Sequence, residues 1–148
     1  PSVYEHLKDL EWMIGDWVDE VPEARIETEC RWAQNKSFIT RSFAAKIGGR
    51  TEMSGVQVFG WDPAAKKIRS WVFDSDGGFS EGTWTRKDNR WFIKSTGVLA
   101  DGTKISATNV LTYVDDDRFK WSSIDREAGG HILPNVTEVF VVRGQSAE

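Results

Sequence analysis

The sequence predicts an all-β fold: an up-and-down antiparallel β-barrel of about ten strands with a short N-terminal helix. Three observations predict it. β-branched and aromatic runs fill the chain after Gly15, turn-forming clusters cut those runs at near-regular intervals, and no second helical pattern exists to carry a parallel crossover. The clusters are Gly48-Gly49, Asp62-Pro63, Asp76-Gly77-Gly78, Lys87-Asp88-Asn89, Asp101-Gly102, Asp115-Asp116-Asp117 and Gly129-Gly130. They leave strands of roughly nine to eleven residues, or about 30 Å at 3.3 Å per residue, which suits a barrel better than a sandwich.

The helix comes first. Val3, Leu7, Leu10 and Ile14 recur at helical spacing, Ser2 is placed to cap, and Gly15 to stop, so a helix is predicted over residues 3–14. Beyond it, successive turns of a meander must alternate between the two ends of a barrel. If Trp17 starts the first strand at the bottom, the turns near Asn35, Asp62, Asp88 and Asp116 are also at the bottom. Those at Gly48-Gly49, Asp74-Ser75-Asp76-Gly77-Gly78, Asp101-Gly102 and residues 127–135 are then at the top. The last strand, Val136–Arg143, runs down and delivers Arg143 to the level of Trp17.

Length and composition bound the rest. One core serves 148 residues, so residues 1–148 read as a single domain, with 144–148 as a loose tail. Hydrophobic residues make up 39% and charged residues 28%, and no apolar run approaches a membrane span. A net charge of −4 without a Lys/Arg cluster argues against nucleic acid. Cys30, the only cysteine, shares a strand face with Trp32 and reads as a small buried hydrophobe. No signal peptide is visible, which makes the cytoplasm the expected location. Eight Trp and eight Phe against two Tyr supply rings enough for a packed core or a pocket lining.

Gly15-Asp16-Trp17 opening the first strand and Arg143 on the last resemble the signature of the calycin superfamily, the lipocalins and their relatives. Gly82-Thr83-Trp84 matches the same short pattern, so its position after the helix and the strand parity carry the likeness. Gly60-Trp61-Asp62-Pro63 and Ser70-Trp71-Val72-Phe73-Asp74 through Phe79 are similar to an uncharacterised bacterial lipocalin-like domain often found behind a small NTF2-like (SnoaL-type) domain. The resemblance implies the barrel and an Arg packed over a Trp at its floor. It implies no activity.

Candidate chemistry gathers at the top rim and on inward strand positions. Asp74 ends an aromatic strand and reads either as a turn residue or as a rim carboxylate; a calcium loop starting there would need Glu where Thr85 stands. His131, in the loop before the last strand, is either solvated, an acid/base, or, by likeness to a haem-binding calycin branch, an axial ligand. Asp125 and Arg126 end the preceding strand, where they can pair or orient His131. The candidate catalytic groups are therefore His131, Asp74 and Asp125. The candidate ligand contacts are Arg41, Gln57, Trp71, Phe73, Asn109 and Arg126. Gln57 alternates with Met53, Gly55 and Phe59, Asn109 with Ile105, Ala107 and Leu111, and Arg41 with Ile39 and Phe43; each therefore points inward. A dry core does not accept such groups unpaired. Phosphate loops, nucleophile elbows and zinc spacings are absent, so neither a cofactor nor a metal is expected.

Three readings follow. The first is a binding module holding a small apolar or aromatic molecule; the second is an isomerase, cyclase or lyase using a rim or interior carboxylate or His. The third is a structural domain with a self-filled barrel, whose outer rings meet a second copy in a homodimer or an NTF2-like partner domain.

Overall fold

A computed structural model describes residues 2–20 and 24–144. From Gly15 onward the chain is a succession of antiparallel strands: β1 (Gly15–Glu20), β2 (Arg25–Ala33), β3 (Phe38–Ile47), β4 (Arg50–Asp62), β5 (Lys67–Asp74) and β6 (Phe79–Lys87). They continue as β7 (Arg90–Val98), β8 (Lys104–Asp115), β9 (Arg118–Ala128), the two-residue β10 (His131–Ile132) and β11 (Val136–Arg143). Each strand from β1 to β9 pairs with the next, β11 pairs with both β9 and β1, and the sheet thereby closes. The result is the ten-stranded antiparallel barrel that the turn rhythm predicts. β10 lies against Ala128 and Glu127, beyond the point where β11 leaves β9 at Ser123, so the two short strands share one stave. Turn residues at Gly48, Gly49, Gly77, Asp88, Gly102, Gly129 and Gly130 all adopt positive φ, the conformation that makes Gly and Asp the punctuation of such a sequence. Among the described residues no helix is long and apolar enough to cross a membrane.

The predicted helix forms in two pieces. α1 (Val3–Leu7) is α-helical and tightens into a 3₁₀ segment at Lys8–Met13. The tightening has a packing cause: side chains three residues apart align in a 3₁₀ helix, which puts Leu7, Leu10 and Met13 on one buried face. Ser2 sits at the N-cap position, but its side chain makes no capping hydrogen bond; its carbonyl accepts from the amide of Glu5 instead. Leu10 and Met13 join Trp17, Phe59, Trp84, Trp91, Leu111 and Phe119 in a cluster that plugs the bottom of the barrel. Trp12 packs edgewise or tilted against Trp17, Trp91, Tyr113 and Phe119 in the same plug.

Trp17 and Arg143 meet as strand parity requires, directly opposite one another in the β1–β11 ladder. The guanidinium carbon stands 4.2 Å from the Trp17 ring centroid. Its three nitrogens donate to the carbonyls of Asp116, Ile14 and Trp12 at 2.6, 2.6 and 2.8 Å. Gly15 makes this possible, because its φ is +130° and a Cβ there would collide with Arg143 Nη1. The expected loose tail, apart from Gly144, falls outside the described residues.

Candidate functional site

Above the plug the rings do not fill the barrel. A cavity of about 580 Å³ remains, walled by the inward residues of the strands and bounded below by Met13, Trp17 and Phe119. Its apolar surface includes Phe43, Phe59, Trp84, Ile93, Leu111 and Trp121. The indole nitrogens of Trp84 and Trp17 are already committed, donating to Ser70 Oγ at 2.9 Å and to the Met13 carbonyl at 2.8 Å. Those rings therefore offer only their apolar surfaces to a ligand.

Two polar clusters interrupt the apolar wall. Cys30, Arg41 and Gln57 are consecutive partners across β2, β3 and β4, so all three project to the same side of the sheet. Arg41 donates from Nη1 to Gln57 Oε1 at 3.2 Å and from Nη2 to Thr28 Oγ1 at 3.5 Å, with its guanidinium 4.8 Å from the centroid of Phe43. Phe43 occupies space beside β4 because Gly55, its cross-strand partner, has no Cβ to clash with the ring edge. On the far wall Asn109 Nδ2 donates to Ser95 Oγ at 3.5 Å.

Asp19, two residues beyond Trp17 and on the same strand face, also lines the cavity. Burial pushes its carboxyl up to about 6, against the opposing pull of the Arg41 charge. Burial likewise pushes the Cys30 thiol up to about 11, although Arg41, Arg31 and Arg143 lie near enough to lower it. Cys30 is thus a small buried wall residue whose thiol burial keeps protonated. The Arg41 guanidinium is shifted down by burial, partly offset by Cys30 and Asp19, and remains charged.

Of the residues singled out from sequence, Arg41, Gln57, Asn109 and Arg126 lie on the cavity wall. Trp71 and Phe73 do not. Ser70 and Val72 take the inward positions of β5, so Trp71 and Phe73 stand on the outer face, where they border a second pocket with Phe79 and Val98 that shares Ser80, Glu81, Ile105 and Ser106 with the cavity. Nor do the rim candidates converge on the cavity, which only Arg126 lines. Asp74 turns its carboxylate into its own hairpin, where Oδ1 accepts from the amides of Asp76 and Gly78 at 2.9 and 3.1 Å. Asp125 occupies an irregularity in the β8–β9 ladder with φ +51° and is exposed, and His131 is exposed on β10. Arg126 donates to the Pro134 carbonyl at 2.9 Å, tying the top of β9 to the segment before β11. Among the described residues no group of three His, Cys, Asp or Glu is placed to hold a metal ion.

Asp19, Ser70 and Ser95 are cavity residues that the sequence reading missed. For Asp19 the signal was present, since alternation from Trp17 points it inward.

No protein-family model matches the chain, and no curated protein is similar to it at a significant level.

Proposed function

We propose that the barrel binds a small apolar or aromatic molecule in its interior. The observation that carries this reading is the cavity of about 580 Å³, within the range of small-molecule sites and walled by rings with a few fixed polar groups. The plugged floor, with Arg143 over Trp17, fits the lipocalin-like resemblance and leaves the upper part of the interior for a ligand. On this reading the protein is a cytoplasmic binder. The test is a titration with the neutral, polarity-sensitive dye N-phenyl-1-naphthylamine. Saturable enhancement at one site per chain is expected, and it should be lost in Ala107→Trp, which places an indole into the cavity from β8. Absence of saturable binding to the parent overturns the reading.

One observation favours a second reading. The carboxyl of Asp19 faces the cavity with an affinity for protons near neutrality, as a general acid or base requires. On that reading the ligand is a substrate of an isomerase, cyclase or lyase. Turnover of a bound compound that follows an ionisation near pH 6 and is lost in Asp19→Asn would establish it; the same compound recovered unchanged would refute it.

A further inference from the structure

We propose that the cavity is built for a monoanion, with Arg41 receiving the carboxylate of a ligand whose apolar body lies against the aromatic wall. The inference rests on the binding reading above and specifies the chemistry of what is bound.

Arg41 is a cation facing an apolar chamber without a bonded countercharge. Among the described residues no carboxylate reaches ion-pair distance of it, and its two hydrogen bonds go to neutral acceptors, the Gln57 amide and the Thr28 hydroxyl. A guanidinium carries five N–H donors, so its fork is largely uncommitted. Burying a charge this way is costly unless something returns the loss. The geometry supplies what a carboxylate receptor needs: the Phe43 ring against the guanidinium, the Gln57 and Thr28 oxygens holding it, and free N–H groups for a planar two-oxygen acceptor.

Asp19 does not take that role from within. It lies on the same wall, yet neither a hydrogen bond nor an ion pair joins its carboxylate to the guanidinium, so the remaining Arg41 donors stay open to a ligand. The carboxylates on the same wall, Asp19, Glu81 and Glu127, count against a second negative charge on the ligand. Arg126 is the one other cation on the cavity wall among the described residues, and one of its nitrogens is held by the Pro134 carbonyl. Arg126 makes its bond at the solvent-exposed top of β9, so Arg41 is the cation within the chamber and suits one negative charge; a phosphate dianion would enter the cavity under-neutralised. For the body of the ligand, Phe59, Trp84, Phe119 and Trp121 offer flat apolar surfaces.

The experiment displaces bound N-phenyl-1-naphthylamine with two matched competitors, 2-naphthoate and 2-naphthylmethanol, which share a ring system and differ in the charged group. In the parent protein the acid should displace the dye at a concentration about tenfold or more below that of the alcohol, the return from charge-assisted bonds to one guanidinium. In Arg41→Met the two should become equal within about threefold, each corrected for the dye affinity measured on that variant; Arg41→Lys, which keeps the charge and loses the fork, should fall between. An alcohol that competes as well as the acid in the parent, an acid that fails to displace the dye, or a preference unchanged in Arg41→Met overturns the inference while saturable dye binding leaves the general binding reading standing. Failure of the dye to bind the parent removes both. The parent comparison needs no variant, so it decides the matter even if Arg41→Met does not fold.

Discussion

Arg143→Met should loosen the floor of the barrel by about 3 kcal/mol. The guanidinium joins three segments that are distant in sequence: the end of the 3₁₀ segment through Trp12, the approach to β1 through Ile14, and the β8–β9 turn through Asp116. Methionine keeps much of the packing over Trp17 and removes all three donors. Arg143 is exposed on its outer side, so water can partly replace it, and each lost bond is worth about 0.5 to 1 kcal/mol and not the larger figure of a buried charged bond. The cation over the Trp17 ring adds about 1 kcal/mol. For a chain of this length the sum corresponds to a midpoint lowered by about 6 to 12 °C. Urea unfolding followed by tryptophan fluorescence measures it, with an unchanged slope required so that the native state can be taken as intact. A loss below about 1 kcal/mol would refute the view that Arg143 clamps the floor, and would reduce it to a surface residue beside a ring.

Two further changes follow from the same structure. Gly15→Ala should cost about 2 to 4 kcal/mol in thermal unfolding, because it forces a side chain into φ +130° and into Arg143 together. Asp19→Asn should stabilise the protein by about 1 to 3 kcal/mol above pH 6.5, and the gain should vanish below about pH 4. Its sign follows from the proton count: between the unfolded value near 3.8 and the folded value of about 6 the native state holds more protons, so parent stability falls as pH rises through that window. Parallel pH–stability curves for parent and variant would contradict it.

The barrel was legible in the sequence because its turns and its floor each need particular residues. Positive φ at Gly48, Gly77, Gly102 and Gly129 is conformational chemistry that composition exposes, and turn parity then brought Trp17 and Arg143 to one level. Alternation also placed Arg41, Gln57 and Asn109 inward, since each interrupts an apolar face. What failed was the reading of Trp71 and Phe73 as pocket residues. Trp71 and Phe73 stand on the opposite side of β5 from Val72, which is the cross-strand partner of Gln57. The Asp62–Lys67 hairpin register would have shown this, because an inward Gln57 requires an inward Val72. The rim assignment failed for a local reason: Asp74 satisfies amides of its own turn, a bond that reads the same in sequence as a free rim carboxylate. The exposed position of Asp125 depends on an irregular ladder and a positive φ at a non-glycine residue, neither of which alternation can foresee.

On the proposed binding reading, stability and binding are opposed within one wall of this barrel. A dry void of about 580 Å³ would cost on the order of 10 kcal/mol at about 24 cal/mol per Å³, as much as an ordinary domain has to spare. Polar groups on the wall lower that cost by making the chamber wettable, and Gln57, Thr28, Ser95 and Asn109 serve this purpose without charge. Arg41 and Asp19 go further than wetting requires, because both are charged groups that burial disfavours. Replacing both, as Arg41→Met with Asp19→Asn, should therefore raise the stability of the ligand-free protein by about 1 to 4 kcal/mol in urea unfolding, the pattern known for buried charges exchanged for neutral groups. The double change also avoids leaving Asp19 without the cation that now opposes its shift. The same variant should lose the preference for 2-naphthoate over 2-naphthylmethanol while still taking up N-phenyl-1-naphthylamine. If the two charges exist to hold the fold, the double variant will instead be destabilised by several kcal/mol, and a site kept at the expense of stability is ruled out.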